Sequence, residues 1–94
     1  MFTDLAPQKI QHHTGYIVQT GGRYSLQYVD GDIFAEIEVD FGPITGLYPD
    51  SMTVRRGDSA PALPSSDERE LIVARVEEAL NYWGMKFKIY KGRS

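Results

Sequence analysis

From Ile33 to Phe41 the chain alternates without a break: Ile33, Ala35, Ile37, Val39 and Phe41 share one register, and Phe34, Glu36, Glu38 and Asp40 share the other. Successive side chains of a strand point to opposite faces, so the pattern predicts a strand with an apolar core face and a second face carrying three carboxylates. A sheet built around such a strand buries one side and leaves the other to solvent or to a partner. The second face is where function should be sought.

A chain of 94 residues suffices for one domain, which on folding buries roughly 60 to 65% of the surface of the unfolded chain. Hydrophobic content of 41% and charged content of 24% are those of an ordinary globular sequence. The absence of cysteine excludes disulfides, thiolate metal sites and cysteine nucleophiles together. Met1 to Ile10 contains Asp4 and Pro7 and does not read as a secretion signal, and no segment approaches the roughly 20 apolar residues of a membrane span. A soluble, cytoplasmic protein is the expectation. Its net charge of −3 is uneven: residues 1–50 hold Lys9 and Arg23 against seven acids, and residues 51–94 hold eight bases against six acids. A polarised surface follows.

Residues 1–13 have no clear period and are expected to be a poorly ordered lead-in to a single α+β domain over residues 14–94. Gly21-Gly22 and Asp30-Gly31 supply the residues that two-residue hairpin turns require, which predicts a three-stranded meander. With Asp30-Gly31 as the loop, Tyr28 faces Ile33, Leu26 faces Ala35 and Tyr24 faces Ile37 inside, while Gln27 faces Phe34, Ser25 faces Glu36 and Arg23 faces Glu38 outside. With Gly21-Gly22 as the other loop, Ile17 points inward and Tyr16, Val18 and Thr20 point outward.

Gly42-Pro43 should end the third strand. A fourth is expected over Ser51 to Arg56, with Met52 and Val54 inward, followed by a connector from Gly57 to Pro64. Ser65 and Glu68 have the spacing of a capping box, so a helix should start there. Ile72, Val76, Ala79, Leu80 and Trp83 give it one apolar stripe, and Gly84 is placed to end it. Met85, Phe87 and Ile89 then alternate with Lys86, Lys88 and Tyr90 as a final strand. The predicted architecture is an antiparallel sheet of four to five strands packed on one long C-terminal helix.

The outer row of Tyr16, Val18, Phe34, Glu36, Glu38 and Asp40 mixes aromatic, aliphatic and acidic groups, a surface suited to a protein partner, with a solvated sheet face as the plain alternative. No pocket is foreshadowed that would raise the pKa of a carboxylate for catalysis, and a flat strand converges metal ligands poorly. No catalytic residue, metal site or cofactor is expected. His12-His13 should sit exposed before the first strand. Lys86, Lys88, Lys91 and Arg93 form a basic end, but overall acidity and the lack of stacking signatures argue against nucleic acid, and lysines protecting an edge strand explain it better.

The run Gly22 to Asp32, the Glu36 and Glu38 strand, Tyr48 with Asp50-Ser51-Met52, and the helix end Ala79-Leu80-Asn81-Tyr82-Trp83-Gly84 resemble the Immunity protein 74 family of bacterial polymorphic toxin systems. The likeness spans about Thr14 to Tyr90. It implies a small intracellular α+β protein that binds and silences a cognate toxin domain and has no catalysis of its own. An acidic outer face fits a cationic toxin. A structural or regulatory homodimer, and a small-ligand binding domain with a pocket between helix and sheet, are the alternatives.

Overall fold

A computed structural model describes residues 1–90, which form β1 (Phe2–Ala6), β2 (Lys9–His12), β3 (Ile17–Thr20), β4 (Ser25–Asp30), β5 (Ile33–Asp40), β6 (Thr45–Arg56), α1 (Ser66–Tyr82) and β7 (Phe87–Ile89). The strands make one sheet in chain order, antiparallel from β1 through β6, with β7 parallel to β6. The α+β class and the C-terminal helix are as expected, but the sheet has seven strands. The two strands beyond the five expected come from the segment expected to be poorly ordered, where β1 and β2 pair as a hairpin. The final strand is parallel because α1 carries the chain back across the sheet before β7 begins, the connection a parallel pair needs. Of the basic end, Lys91 and Arg93 lie outside the described residues.

Two hairpins depart from the expected register, with different consequences. Between β4 and β5 the loop is Gly31-Asp32, Gly31 taking a left-handed φ of 61°, so Tyr28 pairs with Ala35, Leu26 with Ile37, Gln27 with Glu36 and Ser25 with Glu38. This is a slip of two residues, which preserves both faces. It removes Arg23 from its place opposite Glu38, however, and leaves Tyr24 in a loop, 59% exposed. Between β3 and β4 the link is the four residues Gly21 to Tyr24, with the Gly21 amide donating to the Ser25 carbonyl at 3.0 Å. Thr20 consequently pairs with Leu26 and Val18 with Tyr28, an odd slip that exchanges the faces of β3. Tyr16 and Val18 are buried and Ile17 lies outside, because burying the first two removes more apolar surface from water than burying Ile17 alone.

β5 ends before Gly42-Pro43 as expected, but β6 begins at Thr45 rather than near Ser51 and contains Pro49 at a bulge. Two steps along β5, from Glu36 to Glu38, match five along β6, from Thr53 to Tyr48. Ser51 stitches this gap: its Oγ accepts from the Glu38 amide at 2.8 Å and donates to the Tyr48 carbonyl at 2.6 Å. The free edge of the second half of β6 is covered by the connector, where Val54 and Ala62 exchange backbone hydrogen bonds of 2.8 and 2.9 Å.

The helix begins and ends as its sequence dictates. The Ser65 side chain accepts from the Glu68 amide at 3.2 Å. At the other end Met85 donates to Leu80 at 2.9 Å and Gly84, at φ 74°, donates to Asn81 at 3.0 Å, the two bonds of a Schellman turn. Arg56 pairs with Glu68, and Arg69 with Asp50 at 3.3 Å, tying the start of α1 to β6. Ile72, Val76, Ala79 and Leu80 are buried against Ile10, Val18, Leu26, Ile37, Val39, Leu47 and Met52 on one face of the sheet, while Ile33, Phe41 and Trp83 are partly buried at its margin. Among the described residues no helix is long and apolar enough to cross a membrane.

Candidate functional site

With α1 on one side, the opposite face of the sheet carries no second layer of described residues. Pairing and alternation set its side chains in cross-strand rows. Ile17, Val29, Phe34 and Arg55 form one row, Gln19, Gln27, Glu36 and Thr53 the next, then Ser25, Glu38 and Tyr48, and last Asp40, Gly46 and Lys88. Phe34, Glu36, Glu38 and Asp40 therefore share the face foreseen for them. Tyr16 and Val18 do not join it: both are in the core beneath α1, with 2% and 0% of their surface accessible, so neither can touch a partner on the outer face.

The acidic residues sit in an aromatic frame. The Arg55 guanidinium lies 5.1 Å from the Phe34 ring centre, and Gln19 Nε2 donates to Gln27 Oε1 at 2.7 Å beside Glu36. On the far side Tyr48 and Tyr90 stack with centroids 5.3 Å apart and planes 18° off parallel. Gly46 makes that stack feasible, since a Cβ there would come within 2.9 Å of the Tyr90 ring. Tyr24 stands at the edge of two shallow hollows, one reaching Glu36, Glu38, Ser51 and Thr53 and the other Glu38, Asp40 and Tyr48. Carboxylates beside phenol rings on a sheet suit guanidinium and ammonium groups, which donate charge-assisted hydrogen bonds to the first and make face contacts with the second. The chain's own cations already use these rings, with Arg23 5.9 Å from the Tyr24 centroid and Lys88 5.6 Å from that of Tyr90.

Tyr24, Tyr48 and Tyr90 were not singled out for this face by sequence reasoning. Tyr48 falls in a stretch broken by Gly46 and Pro49, and Tyr24 was given an inward place by the shorter hairpin loop. For Tyr90 the signal was present, in its alternation with Phe87 and Ile89.

Tyr16 belongs to a different cluster, at the opposite corner of the core. Its ring stacks on His12 at 4.7 Å, meets Phe2 edge-on at 6.0 Å and lies 4.7 Å below the Arg75 guanidinium. Arg75 donates to the Tyr28 hydroxyl at 2.5 Å and to Asp30 Oδ2 at 3.1 Å. Burial, reinforced by the neighbouring Glu78 carboxylate, pushes the Tyr16 phenol up to about 12. Burial also holds the His12 imidazole below its ordinary value, and His13 and the terminal amine add to this by like-charge repulsion. His12 is thus a strand residue with a 14% exposed side chain, whereas His13 is exposed and accepts from the Met1 amine at 2.8 Å. Among the described residues no three His, Asp or Glu side chains converge as a metal site.

A third feature lies at the end of the sheet where the β1–β2, β3–β4 and β5–β6 loops meet the end of α1. It is an open cleft of about 760 Å³ that reaches down to Thr45. Comparison of the chain with known protein families, curated proteins and solved structures returns no match.

Proposed function

We propose that this chain is a non-catalytic protein-binding domain whose uncovered sheet face docks a basic protein and, following its resemblance to the Immunity protein 74 family, that it neutralises a cognate toxin domain in the cytoplasm. The observation that carries the reading is the placement of Glu36, Glu38 and Asp40 among Phe34, Tyr24, Tyr48 and Tyr90 on a face that no described element covers. Rigid aromatic anchors contribute contact area at little entropic cost, and carboxylates on a sheet steer a cationic partner towards it. Immunity by this route needs only occlusion of the toxin, so no catalytic group is called upon.

The test is capture from the source cytoplasm by the tagged chain and by its Glu36→Lys/Asp40→Lys variant, followed by association kinetics with the recovered protein at several ionic strengths. The expected partner is basic, its on-rate falls at least about tenfold in the variant, and the salt dependence flattens. An on-rate untouched by the double reversal excludes this face as the docking surface. Recovery of the chain itself as the only partner would replace toxin binding with a homodimer.

A further inference from the structure

The cleft at the loop end of the sheet has a chemistry that a protein-docking face does not explain. Both charged residues that line it are cations, Arg23 from the β3–β4 loop and Lys86 from the link between α1 and β7. Neither has an ion-pair partner among the described residues. One wall is apolar, formed by Phe41 and Met85, and Thr20 stands on the rim, held by its hydroxyl donating to Gln8 Oε1 at 3.1 Å.

Thr45 supplies a second, independent observation. It is 2% exposed and is the buried polar residue of a core otherwise made of apolar side chains and tyrosines. Its amide is used, donating to the Lys86 carbonyl at 2.8 Å, but its hydroxyl has no hydrogen-bond partner among the described residues. No buried side-chain oxygen or nitrogen of the described residues lacks a partner, so this unpaired hydroxyl opens into the cleft that Thr45 lines together with the two cations. The end of α1 adds little opposing negative potential here, because the Leu80 and Asn81 carbonyls are taken up by the amides of Met85 and Gly84.

We infer that this cleft is a binding site for a small organic anion, a carboxylate or phosphate on an apolar body. Arg23 and Lys86 neutralise the anionic group, the Thr45 hydroxyl donates to it from the floor, and Phe41 with Met85 takes the apolar body. A volume of about 760 Å³ falls within the range of small-molecule sites. The inference stands whether or not the sheet face binds a protein.

Titration of the full chain, labelled with ¹⁵N, with phenyl phosphate and with phenol tests it. Phenyl phosphate is expected to move the amides of Gly22, Arg23, Thr45 and Met85 with an affinity in the millimolar range or tighter, while phenol moves them at least about tenfold more weakly. Arg23→Gln/Lys86→Gln, two exposed positions whose change leaves the core alone, should weaken phenyl phosphate at least about tenfold, and Thr45→Val should weaken it severalfold. Absence of shifts at about 10 mM phenyl phosphate, equal response to phenol, shifts centred elsewhere, or unchanged affinity in the Arg23/Lys86 variant would each overturn the assignment.

Discussion

Replacing Ser51 by alanine tests whether a single hydroxyl holds the bulge that shapes the outer face. The Ser51 Oγ is the acceptor for the Glu38 amide at 2.8 Å and the donor to the Tyr48 carbonyl at 2.6 Å, so the substitution strands one backbone N–H and one backbone C=O at once. A stranded group costs about 1 to 3 kcal/mol when water cannot reach it. Both bonds are only partly buried, which favours the low end, or about 2 kcal/mol for the pair. For a domain of this size that loss lowers the melting temperature by roughly 8 to 16 °C. Urea unfolding of the wild type, Ser51→Ala and Ser51→Thr measures it, and threonine, which keeps the hydroxyl in a strand, should recover most of the loss. Amide exchange at Glu38 should accelerate in the alanine variant beyond what the global change explains. A loss below about 0.5 kcal/mol, or an alanine variant no worse than threonine, would show that water or the ladder alone holds the bulge.

Two further outcomes follow from the core. Leu80→Ala and Ile37→Ala each remove a buried side chain at the helix–sheet contact and should cost about 2 to 5 kcal/mol, read as a shift of the urea midpoint at unchanged slope; a melt unaffected by both would overturn this core. Because folding raises the Tyr16 phenol from its unfolded value near 10 to about 12, the folded state holds this proton more tightly. Its contribution is fully present below about pH 10 and is lost as pH rises towards about 12, by up to ~2–3 kcal/mol. Unfolding of wild type and Tyr16→Phe between about pH 8 and pH 11 reads the difference, and parallel pH dependences would contradict the assignment.

How far the sequence could be read depended on how local each signal was. The capping serine, the apolar stripe of Ile72, Val76, Ala79 and Leu80, and the glycine that ends α1 all act within a turn or two of chain, and each lies where the pattern put it. The two faces of β5 were legible for the same reason: alternation fixes which side chains share a side, and an even slip of β4 leaves them unchanged. Phe34, Glu36, Glu38 and Asp40 were found this way.

Tyr16 and Val18 were misplaced because the face of β3 depends on the length of a loop, and Gly21-Gly22 can serve a two-residue turn or part of a four-residue one equally well. Only burial against α1 chooses between them. The hairpin of β1 and β2 has the same origin. Neither strand has a strong period, and Ile10 becomes a core residue because β3 offers it a partner and α1 a cover. The bulge at Ser51, the tyrosine stack on Gly46 and the cleft above Thr45 join residues far apart in the chain. The sequence by itself determined the helix, its caps and an acidic strand face, since these rest on steric and hydrogen-bonding preferences of neighbouring residues. The tertiary structure alone decided the number of strands, the inward face of β3 and the surroundings of the carboxylates, because those follow from which arrangement of distant segments removes the most apolar surface from water.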